Sequence, residues 1–320
     1  MCGICGLRRF GEEPIEKRHI DMLLMMNERR GNQATGVAIQ NSDGKVRVYK
    51  IDEPAARVVA SKEYENFLEK NLAKDTQIVL GHTRLATQGD PRKNENNHPV
   101  FAGKTAIVHN GCLQNDYALF NTLNLKREAQ VDSDIIRAIL DQDGLTPKGA
   151  KNLAKITGSA AIAAISNDYP GKLLIARSGS PVVFGSTEGN LLVWSSEKVA
   201  IHTTLRSYVL KFGIYLHKQR PDLSMSTMNN NSVYLFDQKG LCWHDEFVST
   251  RTYTPPNYSV NSGYSSTRRR WDYDDDYDGV QCPKCEKVII LSKADKDKDL
   301  WDLVCSSCET PLAVDPDIKK

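Results

Sequence analysis

The sequence predicts an α+β domain built from layered sheets, followed by a linker and a small β ribbon held by a metal. Three observations lead there. Strand-like segments come in runs with helix-like segments grouped among them, which suits layers better than a strict βαβ alternation. Composition changes sharply near residue 250. Two CxxC pairs stand close to the end of the chain, with nineteen residues between them.

The elements follow in order. "IEKRHIDMLLMMNERR" (15–30) has apolar residues at helical spacing and reads as an amphipathic helix. "GVAIQ" (36–40) and "VRVYKI" (46–51) flank the turn residues "NSDG" and read as a hairpin. "SKEYENFLEKNLAK" (61–74) reads as a helix and "TQIVLGHTR" (76–84) as a buried strand. "KTAIVHNG" (104–111) is a strand ending at a glycine, and "DSDIIRAILDQ" (132–142) begins with capping residues and continues as a helix. Four short strands follow in "SAAIAAISND", "GKLLIARSG", "PVVFGS" and "NLLVWSS", and "SVYLFDQKGLCWHDEF" (232–247) reads as a last hairpin.

The whole-chain properties set the class. The 320 residues suffice for one large domain or two unequal ones. With 40% hydrophobic and 26% charged residues, the composition is that of a soluble globular protein. A net charge of +2 gives no global field to recruit nucleic acid or membrane. No apolar run approaches the ~20 residues needed to span a bilayer. The N-terminal residues lack the apolar leader of a signal peptide, and Cys2 stands where myristoylation needs glycine. With no secretory signal, the expected compartment is the cytoplasm, with its thiols reduced.

Residues 250–279 are rich in Ser, Pro, Asn, Tyr and charge, with Arg268 to Arg270 ahead of an acidic run. They read as a linker between a domain at 2–249 and a ribbon at 280–320. In the ribbon, "CPKC" (Cys282, Cys285) and "CSSC" (Cys305, Cys308) have the spacing of a zinc site. Four thiolates complete a tetrahedral shell and leave no open position, so one structural zinc ion per chain is expected. Metal binding would supply folding energy to a segment too short for a core. "KVIILSK" (287–293) and "WDLVC" (301–305) are its expected strands. Such a ribbon binds nucleic acid or protein, or caps a chain; in the linker, the five aspartates that follow Arg268 to Arg270 argue against binding a phosphate backbone.

The N-terminus reads "MCGICGLRRF". Cys2 fits a buried thiol at a strand start. It also fits a nucleophile: with Met1 removed, one residue would carry a thiol and a free α-amine. That amine's reference pKa of about 7.7–8.0 lets it accept a proton near neutrality. Cys5 reads as a small buried residue, and Cys112 and Cys242 are isolated.

Four further stretches bear on Cys2: "RGNQATGVAI" (30–39), "GHTRLATQGDPRKNENNHP" (81–99), "VHNG" (108–111) and "DSD" (132–134). Each is weak alone. In this order behind an N-terminal CGI, they resemble the class II glutamine amidotransferases, the N-terminal-nucleophile family, over about three-quarters of the chain. The similarity is greatest to the glutaminase domain of the glucosamine-6-phosphate synthase branch. The resemblance implies a four-layer αββα sandwich of two antiparallel sheets. It implies that Cys2 attacks the side-chain amide of L-glutamine, with its own α-amine as proton acceptor, and that Asn110 and the Gly111 N–H stabilise the oxyanion. It further implies that Arg84 pairs with the α-carboxylate, Asp132 takes the α-ammonium and Thr87 contacts substrate near Arg84, while Arg30 supports the nucleophile's loop. No cofactor is needed for this hydrolysis. The sequence departs from the synthase pattern at Leu85, where that branch has tryptophan, at Gln88, where it has histidine, and in RGNQATG for RGYDSAG.

The sequence has no phosphate loop of the GxxxxGK[ST] type. The leading expectation is therefore a glutamine-hydrolysing chain that hands ammonia to a separate synthase. A free-standing glutaminase is the alternative within enzymology. A regulatory factor with a vestigial site, carried to protein or nucleic acid by its ribbon, is the alternative outside it.

Overall fold

The computed structural model describes residues 1–187, 191–205 and 224–247, and gives backbone strand pairing alone at 207–211, 214–218, 279–281 and 288–290. In chain order the elements are β1 (Gly3–Arg9), α1 (Lys17–Asn27), β2 (Ala34–Gln40), β3 (Val46–Ile51), α2 (Ala55–Val59), α3 (Lys62–Asn71), β4 (Ile78–Arg84), β5 (Val100–Phe101) and β6 (Thr105–Leu113). They continue with α4 (Asp116–Thr122), α5 (Asp134–Asp143), α6 (Pro147–Leu153), β7 (Gly158–Ser166), β8 (Tyr169–Ser178), β9 (Val183–Ser186), β10 (Leu191–Ser195) and α7 (Lys198–Leu205). The remainder are β11 (Ser207–Lys211), β12 (Ile214–Lys218), β13 (Ser224–Thr227), β14 (Ser232–Asp237), β15 (Gly240–Glu246), β16 (Gly279–Gln281) and β17 (Val288–Ile290).

Thirteen of the strands form two antiparallel sheets, and β11–β12 and β16–β17 are separate antiparallel pairs. One sheet has the order β13-β9-β10-β1-β4-β2-β3 and the other β15-β14-β8-β7-β6-β5. Three apolar clusters separate the layers. Ile20, Leu23 and Leu24 of α1, Val58 of α2, Leu68 of α3 and Ile201 of α7 pack on Leu7, Val37, Val79 and Val193 of the first sheet. Leu119, Phe120, Ile135, Ile139 and Leu153 of α4 to α6 pack on Ile107, Ile162 and Leu174 of the second. Between the sheets lie Ile4, Ala38, Ile78 and Leu80 against Ala106, Val108, Ala161 and Ile175. The fold is α+β with helices on both outer faces.

Local chemistry sets the helix boundaries. Ser61 caps α3 by accepting from the Tyr64 N–H, and Thr146 caps α6 ahead of Pro147. Helix α1 buries Ile20, Leu23 and Leu24, three- and four-residue neighbours on one face. Two expectations are adjusted. Strand β6 does not stop at Gly111 but runs to Leu113, because its pairing with β7 continues through Gly111↔Ala160 to Leu113↔Gly158. In the C-terminal part, β17 falls within the expected strand 287–293, but its partner is β16, with Gln281 opposite Val288. The expected strand 301–305 lies outside the described residues.

The chain divides into two compact units, 1–255 and 256–320. Cys282, Cys285, Cys305 and Cys308 lie outside the described residues, as does the linker ahead of β16. Among the described residues, no helix is long and apolar enough to cross a membrane.

Candidate active site

Strand parity gathers the site. Residues two apart on a strand share a face. Ile4, Leu80 and Val108 face between the sheets. Counting in twos places Cys2 ahead of β1, His82 and Arg84 on β4, and Asn110 on β6 on that same side. Register does the rest: Gly3 pairs with Thr83, so Cys2 falls opposite Arg84 at the sheet's end.

There Cys2, Arg84, Leu85, Thr87, Gln88, His98, His109, Gly111, Val131, Asp132 and Ser133 line one narrow cleft. Five of the seven residues singled out from the sequence are thus brought together. The other two stand beside them. Asn110 is 2% exposed, next to Gly111, and its Nδ2 is buried without a hydrogen-bond partner. Arg30 lies outside the cleft, where its Nε donates to the Cys2 carbonyl at 2.8 Å and its Nη1 to Glu197 Oε1 at 2.7 Å.

Arg84 is 2% exposed. Its Nη1 donates to Asn97 Oδ1 (2.8 Å) and its Nη2 to the Gln88 and Gly89 carbonyls (2.6 and 2.9 Å). All three acceptors are neutral, and no carboxylate among the described residues lies within ion-pair distance of it. Burial pulls its pKa down, against the pull of Cys2, Asp132 and Asp90. Asp132 is the converse, a buried carboxylate that accepts from the Leu113 N–H (2.7 Å) and the Ser133 hydroxyl (3.2 Å), lies 4.0 Å from His109 Nδ1, and touches no Lys or Arg among the described residues. The Cys2 thiol donates to the Leu85 carbonyl at 3.4 Å. Burial raises its pKa, while the N-terminal amine and Arg84 draw it back.

The supporting loops are close-packed. An ideal Cβ on Gly31 would stand 2.3 Å from Arg84 C and 2.4 Å from Leu85 N. The Gln33 N–H donates to the Arg84 carbonyl (3.0 Å), and Gln33 Oε1 accepts from the Ala86 N–H (2.6 Å). The segment 31–33 is thereby the bed of the 84–86 loop. On β6, a Cβ on Gly111 would stand 1.9 Å from the Ser159 carbonyl oxygen.

Sequence reasoning left several neighbours without a role. His98 and His109 line the cleft, and His82 stacks on His98 with ring centroids 4.2 Å apart. Burial holds His82 down to about 3, His98 well below its ordinary range, and His109 below it. Burial favours the neutral form of all three rings. His109 and Ser133 sit inside the quoted HNG and DSD stretches, so their positions were visible there although their contacts were not. Glu197 had no sequence signal.

Comparison with known proteins defines the class. Residues 82–203 match the glutamine amidotransferase domain family. The chain carries a class II glutamine amidotransferase domain, and its two antiparallel sheets have the fold of the B. subtilis glutamine phosphoribosylpyrophosphate amidotransferase complexed with ADP and GMP. That likeness has a TM-score of 0.57 at 17% identity, over 78% of this chain and 50% of that one. In sequence the domain is distantly similar to isomerizing glutamine–fructose-6-phosphate aminotransferases. It is 33% identical to that of Gluconobacter oxydans over 63% of this chain and 32% of the relative, and 31% identical to that of Zymomonas mobilis over 73% and 38%. The chain spans about a third of the length of these curated relatives.

Proposed function

We propose that this chain hydrolyses L-glutamine to glutamate and ammonia through a thioester on Cys2. With Met1 removed, the Cys2 α-amine takes the thiol proton as sulfur attacks the side-chain amide carbon. The same proton then goes to the departing ammonia. Asn110 Nδ2 and the Gly111 N–H hold the oxyanion, Arg84 the α-carboxylate and Asp132 the α-ammonium, with Thr87 beside Arg84 and Arg30 fixing the Cys2 backbone. Water then cleaves the thioester. The observation that carries this reading is the pair of unmet charges beside one thiol: among the described residues, a buried guanidinium with no carboxylate and a buried carboxylate with no Lys or Arg. A zwitterion completes both, and the buried orphan donor of Asn110 awaits an oxygen.

The ammonia passes to a separate acceptor enzyme. The relatives' names place the amino group on fructose 6-phosphate, which makes a sugar phosphate the first acceptor to try. The cysteines 282, 285, 305 and 308 hold one structural zinc ion, a reading supported by the donor chemistry and by the antiparallel β16 and β17, which bracket the first pair in sequence. Intact-mass measurement, labelling by an electrophilic glutamine analogue and glutamate release test the hydrolysis. The expected result is a chain lighter by one methionine, labelled on Cys2 alone and releasing glutamate faster with its acceptor enzyme than without. Equal rates would favour a free-standing glutaminase. Full activity in protein that retains Met1 would overturn the mechanism.

A further inference from the structure

Asp132 is tied at both oxygens. Oδ2 accepts from the Leu113 N–H on β6, and Oδ1 accepts from the Ser133 hydroxyl. A serine hydroxyl has one hydrogen, and here it points at the carboxylate. Ser133 Oγ lies 2.8 Å from His109 Nδ1. With that hydrogen on the Asp132 bond, Oγ is the acceptor and the His109 proton is assigned to Nδ1, since Nε2 has no hydrogen-bond partner among the described residues. The His109 backbone carbonyl lies 3.0 Å from His82 Nε2, which ties β6 to β4 at this residue. His109 and Ser133 are each 2% exposed and Asp132 6%, so water does not compete for these bonds. Two dipoles, N–H then O–H, therefore run head to tail into Asp132 Oδ1. They join three separate places in the chain: β4, β6 and the start of α5.

We propose that His109 and Ser133 are positioning residues that fix the Asp132 carboxylate in the cleft and thereby set how strongly the site demands an α-ammonium group on its ligand. This rests on the glutamine reading of the cleft. The carboxylate has about four lone-pair sites, of which the two bonds described use two. The rest, with no Lys or Arg near among the described residues, suit a primary ammonium. Without the Ser133 hydroxyl the carboxylate is free to turn, and the ammonium loses an acceptor held in place, while the Arg84 end of the cleft is untouched.

Two ligands separate the ends of the cleft. L-Glutamate carries the ammonium; glutarate has the same carbon chain and both carboxylates but lacks it. Their dissociation constants are measured by calorimetry on the full chain. Ser133→Ala and His109→Gln should weaken glutamate about tenfold and leave glutarate within about twofold. His109→Asn should stay nearer the parent, because its amide N–H reaches where Nδ1–H stood, whereas the Gln amide mimics the other nitrogen. Circular dichroism reports folding. If Ser133→Ala does not fold, the two His109 variants decide the matter. Equal weakening of both ligands, or Asn and Gln behaving alike, would overturn the proposal. A parent chain that neither hydrolyses glutamine nor binds glutamate overturns the glutamine reading itself, and this proposal with it.

Discussion

Arg84 is a buried cation with no anion beside it. Burying a guanidinium costs several kcal/mol even after relaxation, and three neutral acceptors compensate only part of that. Three of its five N–H donors are committed to these acceptors, which leaves one on Nε and one on Nη1 for a ligand carboxylate. Lysine at this position keeps the charge but cannot serve Asn97, the loop carbonyls and a ligand together. Arg84→Lys should therefore raise KM for glutamine tenfold or more, roughly, with a smaller change in kcat. Steady-state kinetics reads this directly, and an unchanged KM would remove Arg84 from the substrate site.

At the scale of elements, the site depends on two backbone approaches that admit no Cβ. Gly31 lies against the Arg84–Leu85 peptide, and Gly111 against the Ser159 carbonyl. At 1.9 Å from backbone oxygen, a methyl group on residue 111 forces β6 and β7 apart where they carry Asn110 and Gly111. Gly111→Ala should cost about 1–3 kcal/mol of stability and nearly all glutamine hydrolysis. Gly31→Ala should act on the 84–86 loop instead. Urea unfolding beside kinetics separates the two: the 111 variant loses both properties, and the 31 variant raises KM with the larger share of stability kept.

For the molecule as a whole, the three neutral histidines make stability depend on pH. His82 is held down to about 3 from an ordinary 6.5, by burial first, and His98 and His109 shift the same way. The unfolded chain then binds more protons than the folded one below about pH 6.5, so stability falls as pH drops through 6.5. Each ring can cost up to about 2 kcal/mol by pH 5. The urea midpoint should fall between pH 7 and pH 5, and the imidazole resonances of these three should titrate below the ordinary histidine range in the folded protein. A histidine among them that titrates near 6.5 would contradict its neutral burial. The division at residue 255 carries a second expectation. A chain ending at Pro255 should fold and release glutamate, and should lose any stimulation by an acceptor enzyme. Metal analysis should find one zinc ion in the full chain and none in the truncated one.

Much of this was legible in the sequence because strand and helix periodicities are local. Helix α1, the β2–β3 hairpin and the run β7 to β10 follow from residue spacing over five to ten positions. Helices α2 (five residues), α4, α6 (seven each) and α7 (eight) are too short for their periodicity to stand out, and packing on the sheets makes them helical. The order of CGI, RGNQATG, GHTRLAT, HNG and DSD pointed to the class of site, since chemistry restricts residue type at those positions. What the sequence could not supply was the partner of each side chain. That Arg84 lacks a carboxylate among the described residues, that Arg30 reaches the Cys2 carbonyl with Glu197 behind it, and that His109 reaches Asp132 through Ser133 depend on distances between segments 13 to 167 residues apart. Such distances are fixed only when two sheets close on a shared core. The sequence by itself determined which groups are present and which elements carry them; the tertiary structure decided which charges are left unmet, because burial and register are properties of the packed whole.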